Sequence, residues 1–249
     1  MEIGDVLEST REVASSVVAA RAAALDRERV YPADNLKALG GAGALGLVVP
    51  AEHGGAGGGL AALAEAGEAI GAACASTGMV FLMHEVTAAT LAIGGGERAA
   101  GLLPRFASGE AIGTLAFSER GTGAHFYSPE LRAERSNGSV TITGRKSFVT
   151  SGGHADHYLV LVQGEADGTA DAYVVDGDDA AVSFDGAWAG LGMAGNSSVA
   201  MELAGVQVGD ADRVGAAGAA TELVFGVVAP FFLVGLSAVN VGIAAAAAK

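Results

Sequence analysis

Two segments place a hydroxyl at the end of an apolar run and follow it with a glycine turn. The first is Leu115-Ala116-Phe117-Ser118-Glu119-Arg120-Gly121-Thr122-Gly123-Ala124-His125. The second is Gly144-Arg145-Lys146-Ser147-Phe148-Val149-Thr150-Ser151-Gly152-Gly153-His154-Ala155-Asp156. Hydroxyls and backbone N–H groups at strand ends are hydrogen-bonding partners for a polar planar ligand, and the Phe148 ring is a surface on which such a ligand can stack.

Other candidate motifs offer less. The glycine run Gly54-Gly55-Ala56-Gly57-Gly58-Gly59 lacks the preceding strand, the Lys-Ser/Thr ending and the downstream acid of nucleotide-binding loops, so it reads as a helix connection. His154 and His157 are three residues apart, but no Cys or Glu completes a metal site, and no metal is expected. His84-Glu85 lies inside an apolar helix. That pair is either hydrogen-bonded in the core or part of a pocket wall, and the core reading is favoured. There is no Gly-x-Ser-x-Gly elbow, and Cys74 has no evident activating partner.

The elements that must position these residues fall into three zones. Residues 1–110 read as helices. Val6, Val13, Val17, Ala20 and Ala24 form one helical face, and a second element starts at Tyr31-Pro32-Ala33. A third spans Leu60 to Ile70 with Glu65 and Glu68 outward. A fourth spans Gly78 to Ile93 with Ser76-Thr77 as its cap, and a last one runs from Glu97 to Phe106. Over 111–212 the period becomes two. Strands are expected at Ala111–Phe117, Val140–Thr143, Tyr158–Val162, Ala172–Val175, Val182–Phe184 and Val199–Leu203. Turns at Ser136-Asn137-Gly138, Ser151-Gly152-Gly153, Asp167-Gly168 and Asp176-Gly177-Asp178 separate them. Evenly spaced short strands without intervening helices indicate an antiparallel barrel or sandwich. The fold class is therefore α+β, with the start of a helical bundle over 213–249.

Leu223 to Ala248 holds no charged residue and exceeds the ~20 apolar residues that cross a bilayer. Its flanks lack basic residues other than Lys249, and Ser237, Asn240 and its glycines suit a protein interface. A buried bundle helix is therefore expected rather than a membrane span. The closing Ala244-Ala245-Ala246-Ala247-Ala248-Lys249 has no stop signal and reads as a helix cut short.

The 249 residues are 51% hydrophobic and 17% charged, which excludes disorder. Twenty-eight acidic against 14 basic residues argue against a nucleic-acid partner. A single cysteine, Cys74, and a start (Met1-Glu2-Ile3-Gly4-Asp5) without the basic and apolar runs of a signal peptide fit a cytoplasmic protein.

The two hydroxyl-bearing segments resemble the flavin-binding stretches of the acyl-CoA dehydrogenase family, Thr-Glu-Pro-x-x-Gly-Ser-Asp and Gly-x-Lys-x-(Trp/Phe)-Ile-Thr-Asn. Gly46-Leu47-Val48-Val49-Pro50 through Gly57, Leu103 through Glu110, Trp188 through Met193 and Val206-Gln207-Val208 resemble further family stretches in the same order. The resemblance implies FAD and αβ-dehydrogenation of an acyl thioester in fatty acid metabolism. In that reaction the flavin takes hydride and a carboxylate removes the α-proton. Leu115, Phe117, Ser118, Gly123, Ala124, Phe148, Val149 and Thr150 would then bind the cofactor. Ser118 would stand for the usual Thr, Phe148 would lie on the ring and Thr150 would bond near its N5. The helix carrying Met79, Phe81, Met83, His84 and Thr87 would wall the acyl pocket, with Ala124 and His125 also facing substrate.

Four positions depart from the pattern. Gly123-Ala124-His125 replaces Gly-Ser-Asp, Arg120 stands where Pro is common, and Ala194 occupies a frequent Arg position. The carrier of the acyl group, coenzyme A or a carrier protein, is thereby left open. The family's catalytic glutamate would lie beyond residue 249, and a structural role is expected for Glu119 rather than that of base. The resemblance further implies an electron-accepting flavoprotein partner and a homo- or hetero-oligomer. Two alternatives stay open, a flavin-dependent oxygenase on the same fold and a non-catalytic partner subunit of a heteromeric dehydrogenase.

Overall fold

The computed structural model describes residues 1–136 and 138–249. Six helices come first: α1 (Ile3–Val13), α2 (Ala19–Glu28), α3 (Ala33–Gly41), α4 (Leu60–Ala73), α5 (Ala75–Gly94) and α6 (Glu97–Ser108). A π-helical turn, Ala14–Val18, joins α1 to α2 without a break. Seven strands follow: β1 (Gly113–Ala116), β2 (Ala133–Ser136), β3 (Ser139–Val149), β4 (His157–Gln163), β5 (Ala170–Asp176), β6 (Val182–Asp185) and β7 (Val199–Gly209). The chain closes with α7 (Ala220–Leu223), a second π turn (Val224–Val228) and α8 (Ala229–Ala247).

Helix α5 starts one turn earlier than expected, with Cys74 at the cap position and no side-chain cap bond. Ser76 and Thr77 are not caps. The Ser76 hydroxyl accepts the Gly195 N–H (3.1 Å) and the Thr77 hydroxyl accepts the Asn35 amide (3.0 Å), so both tie α5 to other parts of the chain.

The strands form two sheets, ordered β1-β4-β5 and β2-β3-β7-β6. They stack as a sandwich with one departure from the antiparallel expectation, because β1 and β4 pair in parallel. Strand β2 was not expected, since Ala-Glu-Arg-Ser carries no apolar alternation. The turn expected at Ser136-Asn137-Gly138 includes Asn137, which lies outside the described residues.

Strand β4 is buried along nearly its whole length, for a reason its neighbours make plain. Leu159 and Leu161 pack with the helices, while Tyr158, Val160 and Val162 pack between the two sheets. A strand covered on both faces needs an unbroken apolar run. Strand β3 has one face open and alternates.

Helix α8 packs along α4 and α5 at close range. A side chain at Gly71 would strike the Val239 backbone, and one at Gly242 would strike the Glu68 carbonyl. The opposite face of α8 is open, with Leu233 and Val241 exposed, as is Phe225 in the preceding π turn. By length and composition alone, Ala75–Gly94 and Ala220–Ala247 are both long and apolar enough to cross a membrane. The first is mostly buried in the protein, whereas only 28% of the second's most apolar window is.

Candidate functional site

The two hydroxyl-bearing segments are locked together by a buried ion pair. The fully buried Lys146 ammonium lies 2.5 Å from Glu119 Oε1 and also donates to the Leu161 carbonyl. Burial draws its pKa down to about 8, against the opposing pull of Glu119. Glu119 accepts the N–H groups of Glu130 (2.9 Å) and Leu131 (3.1 Å) as well, so its carboxylate is fully occupied in holding the 119–131 loop. This is the structural role expected for it, and it leaves Glu119 unsuited to proton abstraction. The Ser147 N–H adds a second link, donating to the Ser118 carbonyl at 2.9 Å.

Beside this clamp β3 carries a bulge. Its pairing with β7 jumps from Lys146↔Met201 to Val149↔Val199, so Ser147 and Phe148 together face the single residue Ala200. Phe148 adopts φ 55°, a left-handed conformation that is rare and strained for an aromatic residue. Its side chain stands 68% exposed instead of joining the core.

The exposed ring separates two hollows. On one side is a narrow apolar cleft of about 110 Å³ lined by Met83, Leu115, Phe117, Ser118, Phe126, Ser147, Phe148, Val228 and Phe232. On the other is an open hollow of about 450 Å³ that shares Ser147 and Phe148 and adds Asp185, Trp188 and Ser198. A larger groove of about 610 Å³ lies near the cleft, where Tyr127 and Phe225 pack at 5.0 Å. Its lining includes Arg132, Arg135 and the 163–170 turn.

The cleft thus gathers five residues singled out in the sequence, Leu115, Phe117, Ser118, Phe148 and Met83. The others are placed elsewhere. Val149 points into the core between the sheets. The Thr150 hydroxyl pairs with Ser198 (3.0 Å) at the edge of the open hollow, and its carbonyl accepts the Thr114 hydroxyl. Gly123, Ala124 and His125 lie on an exposed turn and line neither hollow beside Phe148. Thr87 is buried and bonds back to the Met83 carbonyl.

His84 does not wall the cleft. It is fully buried, and its Nε2 lies 3.0 Å from the Leu45 carbonyl while Nδ1 accepts the Gly113 N–H at 3.1 Å. A carbonyl can only accept, so these partners assign the proton to Nε2 and make the ring neutral. Burial holds its pKa down at about 4. Its neighbour Glu85 is equally buried and, among the described residues, accepts only the Val48 N–H (2.9 Å). Burial raises the Glu85 pKa to about 8, which keeps it a neutral acid at pH 7.

Sequence reading missed Phe126, Ser147, Val228 and Phe232. Val228 and Phe232 come from a segment that is apolar on every face, so no stripe marks an inward side. Val228 also ends a π turn, a feature that recurs at functional sites. Among the described residues, no group of three or more metal-ligating side chains comes together.

Comparison with known proteins places this arrangement. Residues 2–110 match the model of the acyl-CoA dehydrogenase N-terminal domain and residues 114–206 that of its middle domain. The chain belongs to the acyl-CoA dehydrogenase family. It is 32% identical over 158 residues to the human mitochondrial short-chain specific acyl-CoA dehydrogenase, a match covering 63% of this chain and 38% of that protein. Butyryl-CoA dehydrogenase of Megasphaera elsdenii superposes with a TM-score of 0.91 at 19% identity, covering 98% of this chain and 66% of that one. The FMN-bound TdsC of Paenibacillus sp. A11-2 gives 0.86 at 26% identity, over 97% of this chain and 62% of that one. The matches therefore span less than half the length of the human relative and about two thirds of the solved chains.

Proposed function

We propose that this chain supplies the flavin-facing and acyl-facing surfaces of an FAD-dependent enzyme that removes the α and β hydrogens of an acyl thioester. The observation that carries this reading is the convergence of Ser118, Ser147, Phe148 and Met83 on one cleft, held there by the Lys146–Glu119 clamp. The donor set fits a flavin. It consists of neutral hydroxyls around an exposed aromatic face, and it includes a buried Ser147 Oγ with no partner among the described residues. Bound FAD would supply the two-electron hydride acceptor.

The chain's own residues do the rest. Phe148 offers the stacking face, and Ser118 offers a hydroxyl at the ring edge. Leu115, Phe117, Met83, Phe126 and Phe232 exclude water around an acyl tail. Arg132, exposed on the lining of the larger groove, suits the phosphates of a coenzyme A or carrier-protein arm. In this reading 1–110 contributes the acyl-side wall, 111–212 the flavin side and 213–249 the closing helix. An electron-accepting flavoprotein, an oligomeric assembly and a cytoplasmic location complete the proposal.

No carboxylate or imidazole is among the nine lining residues of the cleft. The same lining is compatible with a second reading, a flavin-dependent oxygenase, which needs no α-proton base, whereas the dehydrogenase reading takes its glutamate from beyond residue 249. Anaerobic titration with butyryl-CoA, of the FAD-loaded protein supplied with a C-terminal helical domain that carries the glutamate, separates the two. Loss of the flavin's visible absorbance is expected for the dehydrogenase. Full flavin binding without bleaching, joined to oxygen uptake by the reduced form, overturns it in favour of the oxygenase.

A further inference from the structure

The Ser147 hydroxyl stands apart from those of Thr114, Thr150, Tyr158, Ser197 and Ser198. Thr150 and Ser198 bond each other, Thr114 bonds the Thr150 carbonyl, Ser197 bonds the Gly152 carbonyl and Tyr158 bonds the Ser151 carbonyl. Ser147 Oγ is buried and bonds nothing among the described residues. A buried hydroxyl without a partner is costly. The backbone that places it is also strained, because the bulge puts Phe148 at φ 55°. Two unfavourable features on adjacent residues therefore produce one arrangement, with Ser147 and the Phe148 ring lining both hollows. The remaining unpartnered buried atoms do not share this position. Asn35 Oδ1, Glu85 Oε1 and Arg213 Nε belong to side chains that line neither the cleft, the open hollow nor the larger groove.

We propose that Ser147 is a flavin-contacting residue whose hydroxyl hydrogen-bonds a polar edge atom of the ring held against Phe148. This rests on the flavin reading of the cleft and extends it to a residue that packing alone leaves unexplained. Lys146 fixes the strand on one side through its buried ion pair, and the Ser147 N–H fixes the peptide itself against the Ser118 carbonyl. The backbone that carries Ser147 is thus fixed before any ligand arrives, which lowers the entropy cost of the bond.

The test is FAD titration followed by fluorescence quenching, on the wild-type chain, Ser147→Ala and Ser147→Cys, alongside thermal melting without flavin. Removing an unpartnered hydroxyl leaves the flavin-free melting temperature unchanged or raised. Both variants are expected to bind FAD about three- to tenfold more weakly, the equivalent of one lost hydrogen bond, and to shift the visible band of the bound flavin. Ser147→Cys keeps the side chain's shape, so a weakening shared by both variants belongs to the hydroxyl. Wild-type binding matched by both variants, with an unchanged band, overturns the role of Ser147 and leaves the flavin reading intact. A wild-type chain that quenches no FAD fluorescence overturns that reading and this inference with it.

Discussion

Glu119 and Glu85 are both buried carboxyl side chains, yet their surroundings give them opposite roles. Glu119 has a cation at 2.5 Å and two backbone N–H groups, so every direction around it is answered. Glu85 has one N–H donor, no cation, and an Oε1 with no partner among the described residues. The first acts as a charged clamp between two segments of the site. The second is kept as a neutral acid in the helical core, with its pKa near 8. Burial alone does not decide what a carboxyl does; the donors brought to it do.

The strongest test of this contrast is Lys146→Met. It strands Glu119 without its cation and is expected to cost about 3–5 kcal/mol in urea denaturation. The double variant Lys146→Met, Glu119→Gln should recover part of that loss. An unchanged midpoint for the single variant would break the comparison.

Glu85→Gln comes next and carries a pH signature. The unfolded chain releases the Glu85 proton near 4.5, while the folded chain retains it to about 8. Between those values the folded state binds more protons, so this group makes stability fall as pH rises. The glutamine variant is free of that decline. Its advantage over wild type should grow from pH 5 to pH 8 to on the order of 1–3 kcal/mol. A melting-temperature difference that stays flat with pH would show Glu85 to be satisfied by other means.

The smallest effect is expected one residue before the clamp. Arg145 faces solvent on the other side of β3 and pairs with Asp185 (3.1 Å) and Glu202 (2.7 Å). Arg145→Ala should change stability by under about 0.5 kcal/mol, because exposed pairs are screened and entropically costly. Adjacent cations on one strand would then differ roughly tenfold in their contribution.

Much of this architecture was legible where a local pattern carried it. Six of the seven strands and most of the helices follow from period and turn residues. The parallel pairing of β1 with β4 was not, because turn signals report chain reversals and not which strands meet later. In the site, Leu115, Phe117, Ser118 and Phe148 come from two compact motifs, and Met83 was singled out with them. Phe126, Val228 and Phe232 reach the same cleft from distant parts of the chain, and only tertiary packing brings them there. Ser147 lies inside one of those two motifs, but what distinguishes it is a bulge and a missing partner, which no local pattern reports.

The glycine seam between α4 and α8 bears on how the chain is made. Gly71 and Val239 touch backbone to backbone, yet roughly 170 residues of chain separate them, which makes this a contact of very high sequence separation. At ribosomal speeds of about 5–20 residues per second, α4 emerges roughly 10–30 s before the helix that covers it. The apolar side of α4 spends that interval without its partner. A nascent chain paused after β7 should accordingly be captured by chaperones more readily than one extended through α8.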